Sequence, residues 1–216
     1  MIITKKDFTS MSSRGRPRNF SRQEALRSAM QLFWERGYDN TSLADLTRTM
    51  GLNPPSLYAA FGSKAQLFIE AVDLYGRTDG AGIWDDLENA PTAKAAVHDV
   101  LRRTAENFTR CGEPRGCMVV LSAPQMAGGD AEVCDALKVL RLEKQKALER
   151  RLERGVAEGD LNAGISCAAI AAYVATLQHG MSIEARDGAT RETLLAIADC
   201  AAAGWDAMIA ASVQSN

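Results

Sequence analysis

Apolar residues along the chain recur at spacings of three and four, the period of an α-helix, and do not alternate singly as in a strand. The first apolar stripe follows a capping box that begins at Ser21, and it ends at Gly37. Its members are Ala25, Leu26, Ala29, Met30 and Phe33. A second, short helix is predicted to open at Thr41 or Ser42 and to end at Gly51.

Two adjacent prolines mark the start of a third helix in the stretch "GLNPPSLYAAF". Pro54 and Pro55 are excluded from a helix interior, but the first turn does not need the N–H groups that they lack. Asn53 before them is a good N-cap, and Gly51 is a good terminator for the preceding helix. The stretch therefore predicts a helix end, a short turn and a new helix over Pro54–Phe61, which together form a helix-turn-helix joint.

Helical patterns continue to the end of the chain. A fourth helix is predicted from Ser63, followed by helices at about 92–110, 117–127, 130–157, 166–186 and 190–213. We predict an all-α protein with an N-terminal three-helix helix-turn-helix DNA-binding domain and a larger C-terminal helical domain. The expected division is a flexible basic arm over 1–20, the helix-turn-helix domain over 21–66 and the helical body over 67–216. The fourth helix, from about 64, links the two domains.

The charge is distributed unevenly. The formal net charge is −2, but residues 1–64 hold ten Lys and Arg against five Asp and Glu. A basic head on an acidic body is typical of a polyanion-binding module joined to another unit. The segment "RGRPR", residues 14–18, resembles an AT-hook core. Its residues Arg14, Arg16 and Arg18 are predicted to enter a narrow A·T-rich minor groove.

The cysteine pattern favours neither disulfides nor a metal site. Five cysteines are an odd number, and no two have the C-x-x-C spacing. We expect reduced thiols, no metal and no cofactor. No stretch has the length and composition of a signal peptide or a membrane span, so a cytoplasmic protein without a membrane partner is expected.

The run from Ala25 to Phe68, "ALRSAMQLFWERGYDNTSLADLTRTMGLNPPSLYAAFGSKAQLF", resembles the N-terminal domain of the tetracycline-repressor (TetR/AcrR) family. The matching residues are Phe33, Gly37, Tyr38, Thr41, Ser42, Gly51, Leu57, Tyr58, Phe61, Lys64 and Leu67. The segments "PRGCMV" and "RLERGVAEGDL" resemble one subgroup. The resemblance implies a dimeric repressor that leaves a palindromic double-stranded DNA operator when a small-molecule effector binds inside the C-terminal helices.

The candidate DNA contacts follow from their places on these helices. Thr41 and Ser42 offer hydroxyls and free N–H groups to a phosphate, although plain capping is the alternative. Lys64 is a cation in a first helical turn, where the helix dipole disfavours it, so a phosphate partner would explain it better than plain solvent exposure. Tyr58 presents a phenol or is a half-buried core aromatic. The full set is Arg14, Arg16, Arg18, Thr41, Ser42, Asn53, Pro55, Ser56, Tyr58, Ala59 and Lys64.

The candidate effector contacts are Trp84, Phe108, Cys117, Met118, Met126, Tyr173, Gln178 and His179, each of which could equally be ordinary core. Gln178 and His179 interrupt an apolar helix and need polar partners. Cys117 lies two residues from Arg115 at a predicted helix start, and both features lower a thiol pKa. A redox or electrophile sensor with the same fold is therefore an alternative function, and a buried structural cysteine is the alternative for the residue.

The helices at 166–186 and 190–213 are apolar nearly all round and rich in Ala and Gly. Two such helices from each of two chains would form a four-helix homodimer seam. A more distant alternative is an all-α enzyme whose basic head binds a phosphorylated substrate. The sequence offers no Gly-rich phosphate loop, no metal-spaced cluster and only two histidines, so we expect no enzymatic activity.

Overall fold

A computed structural model of the chain describes residues 21–110, 116–122 and 130–213, and within these ranges it contains ten helices and no strand. The helices are α1 Arg22–Arg36, α2 Leu43–Met50, α3 Pro54–Phe61, α4 Lys64–Arg77, α5 Ala93–Phe108, α6 Met118–Leu121, α7 Ala131–Ala157, α8 Cys167–Arg186, α9 Arg191–Ala203 and α10 Trp205–Ala211. The all-α prediction is confirmed.

The helix starts in the head, α1 to α3, use the caps that the sequence suggested. The side-chain oxygens of Ser21, Ser42 and Asn53 each accept a hydrogen bond from the backbone N–H three residues later. Helix α1 packs against α2 and α4. The packing is centred on Phe33 and Phe68, whose ring centroids lie 5.0 Å apart in an edge-to-face pair. Aromatic pairs of this geometry add to the stabilisation from burial alone.

The apolar core of the head extends into α6 and α7 of the body. Buried side chains of α6 and α7 belong to the same apolar cluster, among them Met118, Val133 and Leu137. None of these three is more than 1% exposed. The head therefore rests on the first part of the body as well as on α4.

A second core fills the body. Helix α5 packs against α8 and α9, and α7 packs along α8. Leu101, Leu148, Val174 and Leu194 are buried in this core, each no more than 1% exposed. The long, charged α7 contributes to both cores. Its first half packs in the core beneath the head, and its second half packs in the core of the body.

The helix predicted at 190–213 is broken, which corrects the sequence interpretation. Gly204, a poor helix former, separates α9 from α10, and the two segments meet at a bend of 52°. The bend turns Trp205 into the chain's own core, where it is 4% exposed. An isolated antiparallel bridge between Ile165 and Val213 then ties the end of α10 to the start of α8.

In the parts of the chain that the structure describes, no single helix has the length and apolar character to cross a membrane. The bent pair α9 and α10 passes that test only when the two are taken together, and only by length and composition.

Candidate DNA-binding surface and ligand cavity

Helix α3 presents one exposed face. Leu57 and Phe61 are buried against the rest of the head, at 0% and 3% exposure, and fix the orientation of the helix. Gly51, in the left-handed conformation at φ 66°, ends α2 and allows the sharp turn into α3. The candidate DNA contacts at the start of α3 and along it all lie exposed on the opposite side: Asn53, Pro55, Ser56, Tyr58 and Ala59. The structure therefore brings these five together, with Tyr58 exposed at 45% rather than packed in the core.

The start of α2 corrects one of the predicted contacts. Thr41 is fully buried and its hydroxyl donates to the Gly37 carbonyl at 2.7 Å, so it is not placed to reach a phosphate. Ser42 is the exposed cap. Its hydroxyl donates to the Asp45 carboxylate at 2.6 Å, and this hydrogen bond is the main reason that the pKa of Asp45 lies below its usual range. A phosphate at this end of α2 would therefore meet a nearby carboxylate.

Lys64 has a partner within the protein. Its ammonium lies 4.2 Å from the centroid of the Tyr38 ring, a cation–π arrangement, and the side chain is half-buried. Burial lowers its pKa, while the carboxylates of Asp39 and Asp130 act in the opposite direction. This environment accounts for a lysine in the first turn of α4 without a phosphate. A phosphate contact by Lys64 stays a prediction.

Arg14, Arg16 and Arg18 lie outside the described residues, so the predicted minor-groove contacts have no structural counterpart. An ion pair in the head that the sequence did not indicate involves Arg22. Its guanidinium pairs with Glu70 of α4 at 2.7 Å and stacks over the Phe61 ring at 4.4 Å. The ion pair links the start of α1 to α4, and the cation–π contact links it to the end of α3.

Several polar contacts between described residues join the head to the body directly, including the donation from the Ser122 hydroxyl to the Phe33 carbonyl at 3.4 Å. The Tyr38 hydroxyl donates to the Asp130 carboxylate, the N-cap of α7, at 2.8 Å. The Trp34 indole N–H donates to the Gly116 carbonyl at 3.2 Å, and Arg186 of α8 donates to the Trp34 carbonyl at 3.1 Å. Helix α4 is thus one of several connections through which the body supports the head.

A cavity of about 620 Å³ lies between α4, α6, α7, α8 and the segment that follows α4. Four of the predicted effector contacts line it: Trp84, Cys117, Gln178 and His179. Its walls are mainly apolar, which is usual for small-molecule sites of this size. Lys144 of α7 lies 5.4 Å from the Trp84 ring centroid, so that a cation–π pair closes part of the wall.

The other predicted effector contacts do not line this cavity. Phe108 is 4% exposed in the body core, and Met118 is fully buried in the core beneath the head, so packing accounts for both. Tyr173 is 50% exposed and faces away from the cavity, on a shallow apolar surface of α8 and α9. Met126 lies outside the described residues.

The polar groups that line the cavity include a phenol, a thiol and an imidazole. Burial raises the pKa of the Tyr75 phenol and of the Cys117 thiol. Burial, helped by the charge of Arg141, lowers the pKa of His179. All three groups are therefore uncharged near neutral pH. The lowered thiol pKa predicted for Cys117 is wrong, because desolvation outweighs the favourable position at the start of α6. Gln178 donates to the Thr104 hydroxyl at 3.0 Å, which gives it a partner in the body core.

Several side chains belong both to the cavity wall and to the core beneath the head. Phe68, Val72 and Tyr75 of α4 and Leu137 of α7 have this double position. The sequence analysis did not identify these α4 residues, or the first half of α7, as part of a ligand cavity. An apolar spacing at Val133, Leu137 and Leu140 was available as a signal, although dense charges surround it.

Comparison with known proteins gives two family matches. Residues 25–71 match the model described as "Bacterial regulatory proteins, tetR family". Residues 93–198 match the model described as "Tetracyclin repressor-like, C-terminal domain". The two matches cover most of the head, the first half of α4 and most of the body.

Two Escherichia coli K12 repressors and one solved complex are similar over most of their lengths. The chain is 32% identical to the HTH-type transcriptional repressor ComR over 198 residues, 91% of this chain and 94% of ComR. It is 32% identical to the HTH-type transcriptional repressor BdcR, over 85% of this chain and 88% of BdcR. A cysteine mutant of the TetR family regulator CifR, complexed with 26-bp operator DNA, matches at 44% identity and a TM-score of 0.79. That match covers 88% of this chain and all of the CifR chain.

Proposed function

The chain belongs to the TetR family of bacterial regulatory proteins, and from this premise we propose that it is a dimeric repressor released from a palindromic operator by a small molecule. It is a DNA-binding transcription regulator and not an enzyme. We further propose that it acts in the cytoplasm. The observation that carries the release mechanism is the set of side chains shared by the cavity wall and the core of the head.

The exposed face of α3 supports the assignment of the DNA-reading surface. CifR was solved with double-stranded operator DNA, and this chain has the same fold at 44% identity. We assign base and groove contacts to Asn53, Pro55, Ser56, Tyr58 and Ala59, and phosphate contacts to Ser42 and Lys64. In this proposal residues 21–66 bind DNA, while residues 67–216 bind the effector and the second chain.

A charge reversal on α3 tests this surface. DNA selected by the protein from a random-sequence pool should contain two inverted half-sites. Ala59→Glu should then weaken binding to that DNA by more than about tenfold, because the carboxylate would face phosphates. Ala157→Glu is the matched control, since this exposed residue ends α7 at the far end from the head. Equal affinity of the Ala59→Glu variant and the wild type would refute the assignment of the α3 face.

The shared wall explains how a small molecule could change DNA affinity. A molecule that packs against Phe68, Val72 and Leu137 contacts the side chains on which the head rests. If it fits one packing of these side chains better than another, it shifts the population of head positions. Only the difference in affinity between the two states can do so, and reaching 99:1 from 1:99 requires roughly 10⁴-fold discrimination.

Reciprocity tests the release mechanism independently of the DNA-reading surface. A compound that dissociates the operator complex must bind more weakly to protein saturated with operator than to free protein. The factor by which the operator weakens binding of the compound must equal the factor by which the compound weakens binding of the operator. Calorimetric titrations with and without the selected DNA measure that factor. Identical ligand affinity in both titrations would exclude coupling for that compound.

Helices α8 and α9 support the position of the dimer seam. The family is dimeric, and Tyr173 and Ile183 are each 50% exposed on α8 in the single chain. Around Tyr173 the surface is almost wholly apolar and includes Leu177, Met181 and Ile197. An apolar surface between two such helices is suited to a matching surface on a second copy.

The thiol-sensor alternative loses the feature that suggested it. A sensor cysteine needs thiolate character, whereas desolvation raises the thiol pKa of the half-buried Cys117. Its backbone N–H donates to the Ser182 hydroxyl at 2.7 Å, which anchors the start of α6 on α8. A structural position for Cys117 therefore fits better than a sensing one.

A further inference from the structure

Tyr75 carries a buried hydroxyl with no hydrogen-bond partner. The residue lines the cavity and is 3% exposed. Its phenol oxygen lies close enough to the Cys117 thiol and the Met118 N–H for both to act on its pKa, but neither contact has the distance and angle of a hydrogen bond. Buried hydroxyls are nearly always paired, because an unpaired one loses its bonds to water without replacement. The hydroxyl therefore offers a donor to a molecule that occupies the cavity.

The cavity presents balanced charge to a ligand. Three carboxylates and three cations line it, and Asp73 and Arg77 form an ion pair with each other. The six residues are Asp73, Asp85 and Glu143 with Arg77, Arg141 and Lys144. Arg141 donates to the Val119 carbonyl at 3.2 Å. The charge of Arg141 reaches Cys117 and His179 at the Tyr75 end of the cavity, but this guanidinium is already bound to a backbone carbonyl. Carboxylates and cations are equal in number along the wall, so the cavity offers no net charge to balance a buried ionic ligand.

The remaining wall is suited to an apolar body. Ile69, Val72, Leu137 and Leu140 line it together with Trp84, and the volume of about 620 Å³ fits a ligand of drug-like size. We propose that the effector is an uncharged, largely apolar molecule with an acceptor oxygen, such as that of a ketone or ester. This oxygen accepts a hydrogen bond from the Tyr75 hydroxyl. This inference rests on the proposed function, since it names the class of effector for the same cavity.

Tyr75 also connects ligand recognition with the head. Its ring packs edge-on against Trp34 of α1, with centroids 4.9 Å apart and planes at 70°. Trp34 in turn holds the contacts to Gly116 and Arg186 that join head and body. A ligand oxygen that accepts a hydrogen bond from the Tyr75 hydroxyl therefore binds to a side chain whose ring packs against α1 of the head.

Matched probes test the class of ligand. We compare 2-acetylnaphthalene, 2-ethylnaphthalene and 2-naphthoate, which share one ring system and carry a neutral acceptor, no acceptor and a negative charge. Equilibrium dialysis against wild type and Tyr75→Phe gives the affinity ratio of the ketone to the hydrocarbon in each protein. The ratio should fall by about three- to tenfold in Tyr75→Phe, the size of one net hydrogen bond. Ser28→Ala, which removes a hydroxyl from α1 outside the cavity, should leave the ratio unchanged.

Three results would overturn the inference: an unchanged ratio in Tyr75→Phe, tighter binding of 2-naphthoate than of the ketone, or no binding of any probe. Urea unfolding provides a separate check. Tyr75→Phe should be at least as stable as wild type, because it removes an unpaired hydroxyl, and clear destabilisation would show that the hydroxyl has a structural partner. Operator binding, measured on the same preparations, decides the proposed function separately. A variant that binds operator but fails the probe test leaves that function intact.

Discussion

The hydrogen bond between Tyr38 and Asp130 offers the sharpest single test of the contact between head and body. Tyr38→Phe removes one hydroxyl and leaves the ring, so the packing on Phe68 and the cation–π contact with Lys64 persist. The lost interaction is the 2.8 Å bond to the carboxylate that caps α7. The substitution thus isolates one polar link between the two parts.

The size of the effect follows from the burial of the two partners. A hydrogen bond to a charged group contributes about 1.5–3 kcal/mol. Tyr38 is 6% exposed, but Asp130 is half-buried and keeps its cap bond to the Glu132 N–H. Water can partly replace the lost donor, so we expect a loss of about 1–2 kcal/mol in the free energy of unfolding.

Urea unfolding at a fixed protomer concentration measures this loss, because the apparent stability of a dimer depends on concentration. The midpoint should fall while the slope with urea stays the same. Tyr58→Phe is the control, since its exposed phenol should change stability by less than about 0.5 kcal/mol. A Tyr38→Phe variant as stable as wild type would show that the hydroxyl is equally well solvated in the unfolded chain and that the bond does not hold the head.

Three further predictions address DNA, assembly and pH. Lys64→Ala should lower the slope of log affinity against log salt by about one unit per half-site, and a change at one operator position alone would contradict a phosphate contact. Tyr173→Glu should place a charge in the proposed seam and yield monomers in sedimentation velocity; persistent dimers would put the seam elsewhere. His179 has a lowered pKa in the folded protein, so its contribution to stability is present above about pH 6.5 and is lost as the pH falls through the folded pKa. His179→Gln should therefore lose less stability than wild type between pH 7 and 5 in urea unfolding, and parallel losses would exclude this contribution.

Local signals predicted the helices well because capping is decided within a few residues. Ser21, Asn53 and Ser63 each accept the N–H three positions later, as their sequence context indicated. The exposed face of α3 was predictable for the same reason, since two prolines, a cap and two apolar anchors fix its start and its rotation. Family membership was also accessible from the sequence, because the matching residues occur at fixed spacings over one continuous stretch.

Local sequence patterns did not predict which residues are buried in a core and which line the cavity, because packing between helices determines this. Phe108 and Tyr75 are both aromatic residues on apolar helix stripes, yet one fills the body core and the other lines the cavity. Thr41 and Ser42 are adjacent and chemically alike, but only the turn after Tyr38 determines which one is buried. The charge of α7 obscured the apolar spacing that forms one cavity wall. Gly204 is a local signal for a break in the last helix, but the 52° bend and the burial of Trp205 are tertiary features that the local pattern does not specify.

The bridge between Ile165 and Val213 also has a consequence for the order of events on the ribosome. The head helices and α4 lie within the first 77 residues, and the core of the head is complete once the chain has reached Leu137 of α7. The N–H of Ser166, the N-cap of α8, meets its carbonyl partner only in Ser212. At about 5–20 residues per second, that partner is synthesised roughly 4–15 s after Leu137. We therefore expect a nascent chain to complete the core of its head before it can anchor the proposed pairing helix.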